Sequence, residues 1–298
     1  ALKAQLRGGV APALATPIAE DGYTGNTAVL QPLVDFLISQ SVSGLFVGGS
    51  TGEGIMLAQG ERERLFEATL QAVGGRIPSI LHVGANTLRE AVALAKKAES
   101  LGAEAIAAVP PYFLGVGDDG LAAYFHALAA AAPNTPLFLY DIPQLAVNGI
   151  SPALMGQLYE ELPTLAGLKT SRSVAQPIRE LLLAKPEPLI VLVGNESIAM
   201  ATLAMGADGM ISGLSTAVPE PFVALTQAFF AGDIAKAQQC HQLINTLLQQ
   251  LPAGARIGAI KQILAARGIA VGTAVPPRPM PTSDTWAKMK PYLSDLLG

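Results

Sequence analysis

Short apolar runs alternate with longer amphipathic stretches along most of the chain. The runs "GVAPALAT" (Gly9 to Thr16), "GLFVGG", "SILHVGA", "AIAAVP", "PLFLYD", "LAGLKT", "LIVLVG" and "DGMISG" read as strands. Between them, "NTAVLQPLVDFLISQ", "GERERLFEATLQAV", "LREAVALAKKAESLG" and "VAQPIRELLLA" place apolar residues at helical spacing. Strands buried on both faces read as near-continuous apolar runs, and parallel strands need helical crossovers, so the alternation predicts an α/β chain folded as a (β/α)8 TIM barrel. A doubly wound open sheet gives the same alternation, but the first strand–helix junction lacks a G-x-G-x-x-G. After "ISGLSTAVPE" the pattern is purely helical, which predicts a barrel over 1–218 and a C-terminal helical extension over 219–298.

With 298 residues, half of them apolar and 14% charged, the chain can bury one large core. The net charge of −4 and the absence of a Lys/Arg run argue against nucleic acid or an anionic membrane as partner, which leaves a small-molecule substrate. No apolar run reaches membrane-spanning length, and "ALKAQLRGG" has no h-region. Cys240 is the one cysteine, so an intrachain disulfide and a Cys-based metal cluster are excluded and a cytoplasmic location is expected.

In such a barrel, chemistry is carried by the C-terminal strand ends and the loops after them. Lys169 ends the sixth strand, where the surrounding core disfavours its charged form and yields a free amine able to attack a ketone. The structural alternative is a lysine that snorkels to the rim or pairs with Glu196. Tyr140 ends the fifth strand; neighbouring strands lie about 4.8 Å apart, so the phenol and the amine can meet on one substrate atom. "GGSTGE" after the second strand allows a tight turn whose N–H groups and Ser50 and Thr51 hydroxyls can hold a carboxylate, although a plain helix-capping turn reads the same way. Glu53 reads as a brace for that turn, and Lys261, in the extension, as structural. His82, His126 and His241 are scattered, so no metal site and no cofactor is expected.

Together, "GGSTGE", "YDIP" and "GLKTS" make the whole chain resemble the pyruvate-dependent class I aldolases, which include N-acetylneuraminate lyase, dihydrodipicolinate synthase and 2-keto-3-deoxygluconate aldolase. The resemblance implies Lys169 as Schiff-base nucleophile, Tyr140 as proton-transfer group and Ser50 and Thr51, with Gly49, as the carboxylate cradle. It further implies Ile211 at the pyruvyl pocket and Tyr112, Glu196 and Ser215 as substrate contacts, Ser215 or Thr216 meeting a hydroxyl. A homotetramer or homodimer is implied by the same resemblance.

The chain departs from its relatives at several positions. Gln144, Leu145 and Ala146 stand where synthases carry a carboxylate-binding arginine, and Phe113 replaces an intersubunit tyrosine. Asp141 stands where Asn is usual; Asn195 and Gly213 halve the sugar-recognition set of neuraminate lyases. The reading preferred on these grounds is reversible cleavage of a 2-keto-3-deoxy sugar acid or related 2-oxo acid to pyruvate and an aldehyde. Dehydratase, hydratase–aldolase or synthase-like condensation on the same imine is the alternative. A phosphosugar enzyme or a non-catalytic 2-oxo acid binding protein stands further off.

Overall fold

The computed structural model describes residues 1–294, so the last four residues of the predicted final helix lie outside the described residues. Eight parallel strands form one sheet: β1 (Val10–Pro12), β2 (Leu45–Val47), β3 (Ser79–His82), β4 (Ala105–Ala108), β5 (Leu137–Asp141), β6 (Leu165–Thr170), β7 (Ile190–Val193) and β8 (Gly209–Ser212). From β2 to β8 each strand pairs with the next in sequence, and β1 pairs with β8. The predicted first strand is shorter than its apolar run because it changes partner. Ala13 N–H donates to the Ser212 carbonyl on one side, and Leu14 N–H donates to the Phe46 carbonyl on the other. That switch, with the bridge between Ala13 and Phe46, closes the sheet into a (β/α)8 barrel.

Every strand residue is buried, but period-2 alternation still sorts the side chains into two cores. Ala11, Phe46, Ile80, Ala105, Ala107, Phe138, Ile190, Leu192 and Ile211 fill the barrel, while Val10, Leu45, Leu81, Ile106, Leu139, Leu168 and Val191 face the helices. Two of the barrel helices begin at identifiable signals. Thr87 caps Leu88–Ser100 by accepting from Glu90 N–H, and Ser151 caps Pro152–Glu161, with proline in the first turn.

The helix after β8, Glu220–Phe230, packs against β1 and the preceding helix, so the eighth βα unit closes with residues beyond 218. Beyond it lie Ile234–Gln250, Arg256–Ala266 and Ser283–Met289. The first of these also packs on the turn after β7, which brings the extension to the C-terminal mouth of the barrel.

Candidate active site

Alternation decides what enters the barrel at the ends of β5 and β6. Tyr140 and Lys169 are register partners and both point inward, whereas Asp141 and Thr170, also partners, point outward. Lys169 is 3% exposed; its Nζ lies 3.9 Å from the centroid of the Phe46 ring and 4.1 Å from that of Tyr140. Ring faces favour the ammonium form, but burial in the barrel opposes it more strongly. Burial brings the Lys169 pKa down to about 7, with the Glu196 charge pulling the other way.

The turn after β2 supplies the facing hydroxyls. Gly48 turns the chain at φ +72°, and a side chain on Gly49 would meet the Phe46 ring at 2.5 Å. Gly49 is thus a packing requirement and does not itself reach the cavity. Ser50 Oγ and Tyr140 Oη share a hydrogen bond of 2.9 Å. Burial raises the Tyr140 pKa, and hydrogen bonds from Ser50 and from Ser171 moderate the rise. Glu53, at φ +56° and fully buried, anchors the other end of the turn: its carboxylate accepts from Lys261 Nζ at 2.7 Å and from Val275 N–H at 2.9 Å.

These groups surround a cavity of about 330 Å³ lined by Ser50, Thr51, Tyr140, Lys169 and Ile211, together with Ser171, Asn195 and Glu196. One Glu196 oxygen accepts from Ser212 Oγ and Leu214 N–H, both at 2.7 Å, and the other is paired with Arg256. Glu196 is therefore held as a fixed acceptor and makes no direct salt bridge to Lys169. His241 sits behind this loop with Nε2 3.3 Å from the Glu196 carbonyl.

Two expected substrate contacts are placed elsewhere. Ser215 is fully buried in the turn Leu214–Thr216, and its hydroxyl donates to the Ser212 carbonyl, so it is corrected to a turn-forming residue. Thr216 is consumed in the same way, accepting from Ala15 N–H at 3.1 Å. Tyr112 misses the main cavity and borders a smaller one of about 70 Å³, behind Ser50 and Tyr140. Phe113 projects into solvent at φ +78°.

Asp141, without a role in the sequence reading, is explained by its outward direction. It accepts from Thr170 Oγ1 at 2.8 Å, Ile150 N–H at 2.9 Å and Arg172 Nε at 2.6 Å. Its charge is spent on the loop after β6 and does not enter the cavity. Ser171, two residues after Lys169, lines the cavity, and Arg172 beside it pairs with Asp141. Arg256 and Leu248, also at the cavity, have no local motif to reveal them, whereas Gln144 follows directly on "YDIP". Among the described residues, no group of three or more His, Cys, Asp or Glu is placed to hold a metal ion, and no helix is long and apolar enough to cross a membrane.

Comparison with known proteins agrees with this architecture. The family model described as the dihydrodipicolinate synthetase family matches residues 6–295. A 4-hydroxy-tetrahydrodipicolinate synthase from Salinibacter ruber is 35% identical over 260 residues, covering 87% of this chain and 85% of the relative. Among solved structures, the wild-type sialic acid aldolase of Ruminococcus gnavus superposes with a TM-score of 0.92 at 28% identity, covering 97% of this chain and 96% of the aldolase. YagE, a prophage protein of the dihydrodipicolinic acid synthase family from E. coli K12 solved in complex with pyruvate, gives 0.90 at 28% identity, covering 97% and 98%. A buried amine at a barrel strand end, in a chain matched along nearly its whole length by synthases and aldolases, identifies an enzyme of the class I aldolase type that belongs to the dihydrodipicolinate synthetase family.

Proposed function

We propose that this enzyme forms a Schiff base between Lys169 and a 2-oxo acid and reversibly cleaves a 2-keto-3-deoxy sugar acid, or a related 2-oxo acid, to pyruvate and an aldehyde. The observation that carries the reading is the Lys169 amine, brought near neutrality by burial, on a cavity it shares with the Ser50–Tyr140 hydrogen bond. The named activities of the R. gnavus aldolase and the pyruvate bound to YagE support it.

The substrate carboxylate is held at Ser50 and Thr51, and the neutral amine attacks the keto carbon. Loss of water gives a protonated imine. Tyr140, which gives its phenol proton to the departing hydroxyl of the carbinolamine and so becomes phenolate, takes the proton from the hydroxyl on C4; the C3–C4 bond breaks, the aldehyde leaves, and the bond electrons pass into the imine to give an enamine. Protonation at C3 and hydrolysis then release pyruvate and restore the amine. Ser50, hydrogen-bonded to Tyr140, keeps the phenol oriented, and Ser50 and Ser171 together make its ionisation easier.

A second reading, synthase-like condensation, is favoured by the names of the curated relatives. Against it, Gln144 lines the cavity with its amide donating to the Ser171 carbonyl, in the segment where the synthases carry arginine. Borohydride reduction in the presence of pyruvate, followed by peptide mapping, tests the imine, with a pyruvyl adduct on Lys169 expected. Pyruvate release from 2-keto-3-deoxy acids then separates cleavage from dehydration, which releases none. A Lys169→Ala protein that still turned over would overturn both readings. We also propose a homodimer or homotetramer, since Phe113, Leu114, Leu145 and Val147 are apolar and 60 to 81% exposed.

A further inference from the structure

A second cavity, of about 410 Å³, adjoins the first. The two share Ser50, Thr51 and Arg256, so the second cavity borders the first at these three residues. Its remaining wall comes from Leu145 and from the extension, chiefly Ala253 to Gly258, with Arg278 and Pro279. The lining holds two arginines and no carboxylate.

The surrounding charges are unbalanced. Glu196 neutralises Arg256. Glu53 is already paired with buried Lys261 at 2.7 Å, and Arg278 Nη1 approaches the same carboxylate only to 3.8 Å. Three cations thus face two carboxylates, and the excess positive charge resides on Arg278, whose side chain is 35% exposed. Arg278 is also held in place, because its Nη1 donates to the Ser50 carbonyl at 3.3 Å. A guanidinium fixed at a cavity wall with donors to spare matches the planar geometry of a carboxylate or the oxygens of a phosphate.

We infer that this cavity is the subsite for the aldehyde half of the substrate, and that the preferred aldehyde ends in an anionic group, a carboxylate or a phosphate, bound by Arg278 with Arg256 beside it. The inference rests on the lyase reading and narrows its substrate class. Arg278 makes this a specificity contact supplied by the extension and not by the strand-end loops, so it gives the extension a part in choosing the substrate.

The test is a set of condensation assays of pyruvate with glyceraldehyde, glyceraldehyde 3-phosphate and succinic semialdehyde, using the full-length enzyme, Arg278→Gln and Arg278→Lys. In wild type, kcat/KM for at least one anionic aldehyde should exceed that for glyceraldehyde at least tenfold; which one does so separates phosphate from carboxylate. Arg278→Gln should lower that ratio about tenfold to a hundredfold, the size of a charge-assisted contact, and Arg278→Lys, which keeps the charge but loses the planar fork, should give a ratio between those of wild type and Arg278→Gln. A wild-type enzyme indifferent to charge, or an Arg278→Gln protein that loses rate equally on all three aldehydes, would overturn the subsite. Borohydride trapping of pyruvate on wild type reports separately on the lyase reading. If trapping fails, that reading falls, and a thermal shift with glycerol 3-phosphate or succinate but not glycerol, abolished in Arg278→Gln, decides whether the anion site stands; no such shift overturns it.

Discussion

Tyr140 and Lys169 are register partners across the β5–β6 ladder, and the amine of one lies 4.1 Å from the ring centroid of the other. That relationship follows from two strand ends of the same parity, and it is what joins a weak acid and a weak base in one cavity. Its first consequence is a pH dependence. Only the neutral amine attacks a carbonyl, so with Lys169 brought down to about 7 by burial, the rate of pyruvate trapping should climb as pH rises through 7 and level off above it. A rate still climbing tenfold per pH unit between 8 and 10 would mean an ordinary lysine and sink the proposed activation.

The same burial is a stability penalty. The folded-state pKa lies below the unfolded value of 10.5, so between about 7 and 10.5 the unfolded chain binds more protons and stability rises with pH. Below about 7 the penalty is fully present. Lys169→Met should therefore stabilise the fold by a few kcal/mol at pH 6.5, and the gain should shrink toward pH 10. Urea denaturation of both proteins at the two pH values checks this, and an unchanged difference would contradict it.

Replacing Tyr140 by Phe keeps the ring beside Lys169 and removes the hydroxyl shared with Ser50. Turnover should fall about 10²–10⁴-fold, the usual scale for losing a general acid–base group, while borohydride still traps pyruvate on Lys169. Near-normal kcat in Tyr140→Phe would assign the proton transfer to another group.

The barrel, its strand order and the inward pair were legible in the sequence because apolar runs and parity are local properties. Asp141 shows the limit. Parity alone turns it away from Tyr140, but its partner Arg172 depends on how the loop after β6 folds back. Ser215 was misplaced for a related reason: "SGLSTAVPE" reads as an open loop, yet it folds into a buried turn tied to Ser212 and Ala15. Arg256 and Arg278 were illegible because the distances that matter, to Glu196 and to Ser50, span 60 and 228 residues and leave no periodic trace.

The outward pair should matter for stability more than for chemistry. Asp141 is fully buried, and removing it leaves Arg172 and Thr170 without their acceptor. Asp141→Ala should cost about 3–5 kcal/mol, whereas an Asp141→Leu/Arg172→Met double variant should lose less, since no uncompensated charge remains. Chemical denaturation of the single and double variants measures the difference. If both lose the same amount, packing and not the ion pair governs this site.

Lys261 and Glu53 link the extension to the turn that carries Ser50 and Thr51, and both are fully buried. Burial lowers the Lys261 pKa, while the Glu53 charge and hydrogen bond act to raise it, so the pair persists only as a unit. Lys261→Met should strand the Glu53 carboxylate and destabilise the fold by about 3–5 kcal/mol. Because Glu53 sits two residues from Thr51 at a left-handed φ, loosening it should also disturb the hydroxyl cradle. The enzyme that remains folded should therefore show a raised KM for the 2-oxo acid with a smaller change in kcat, since Lys169 and Tyr140 stand on strands the substitution does not touch. Steady-state kinetics well below the melting temperature, alongside denaturation, separates the two effects. An unchanged KM would confine this pair to holding the extension on the barrel.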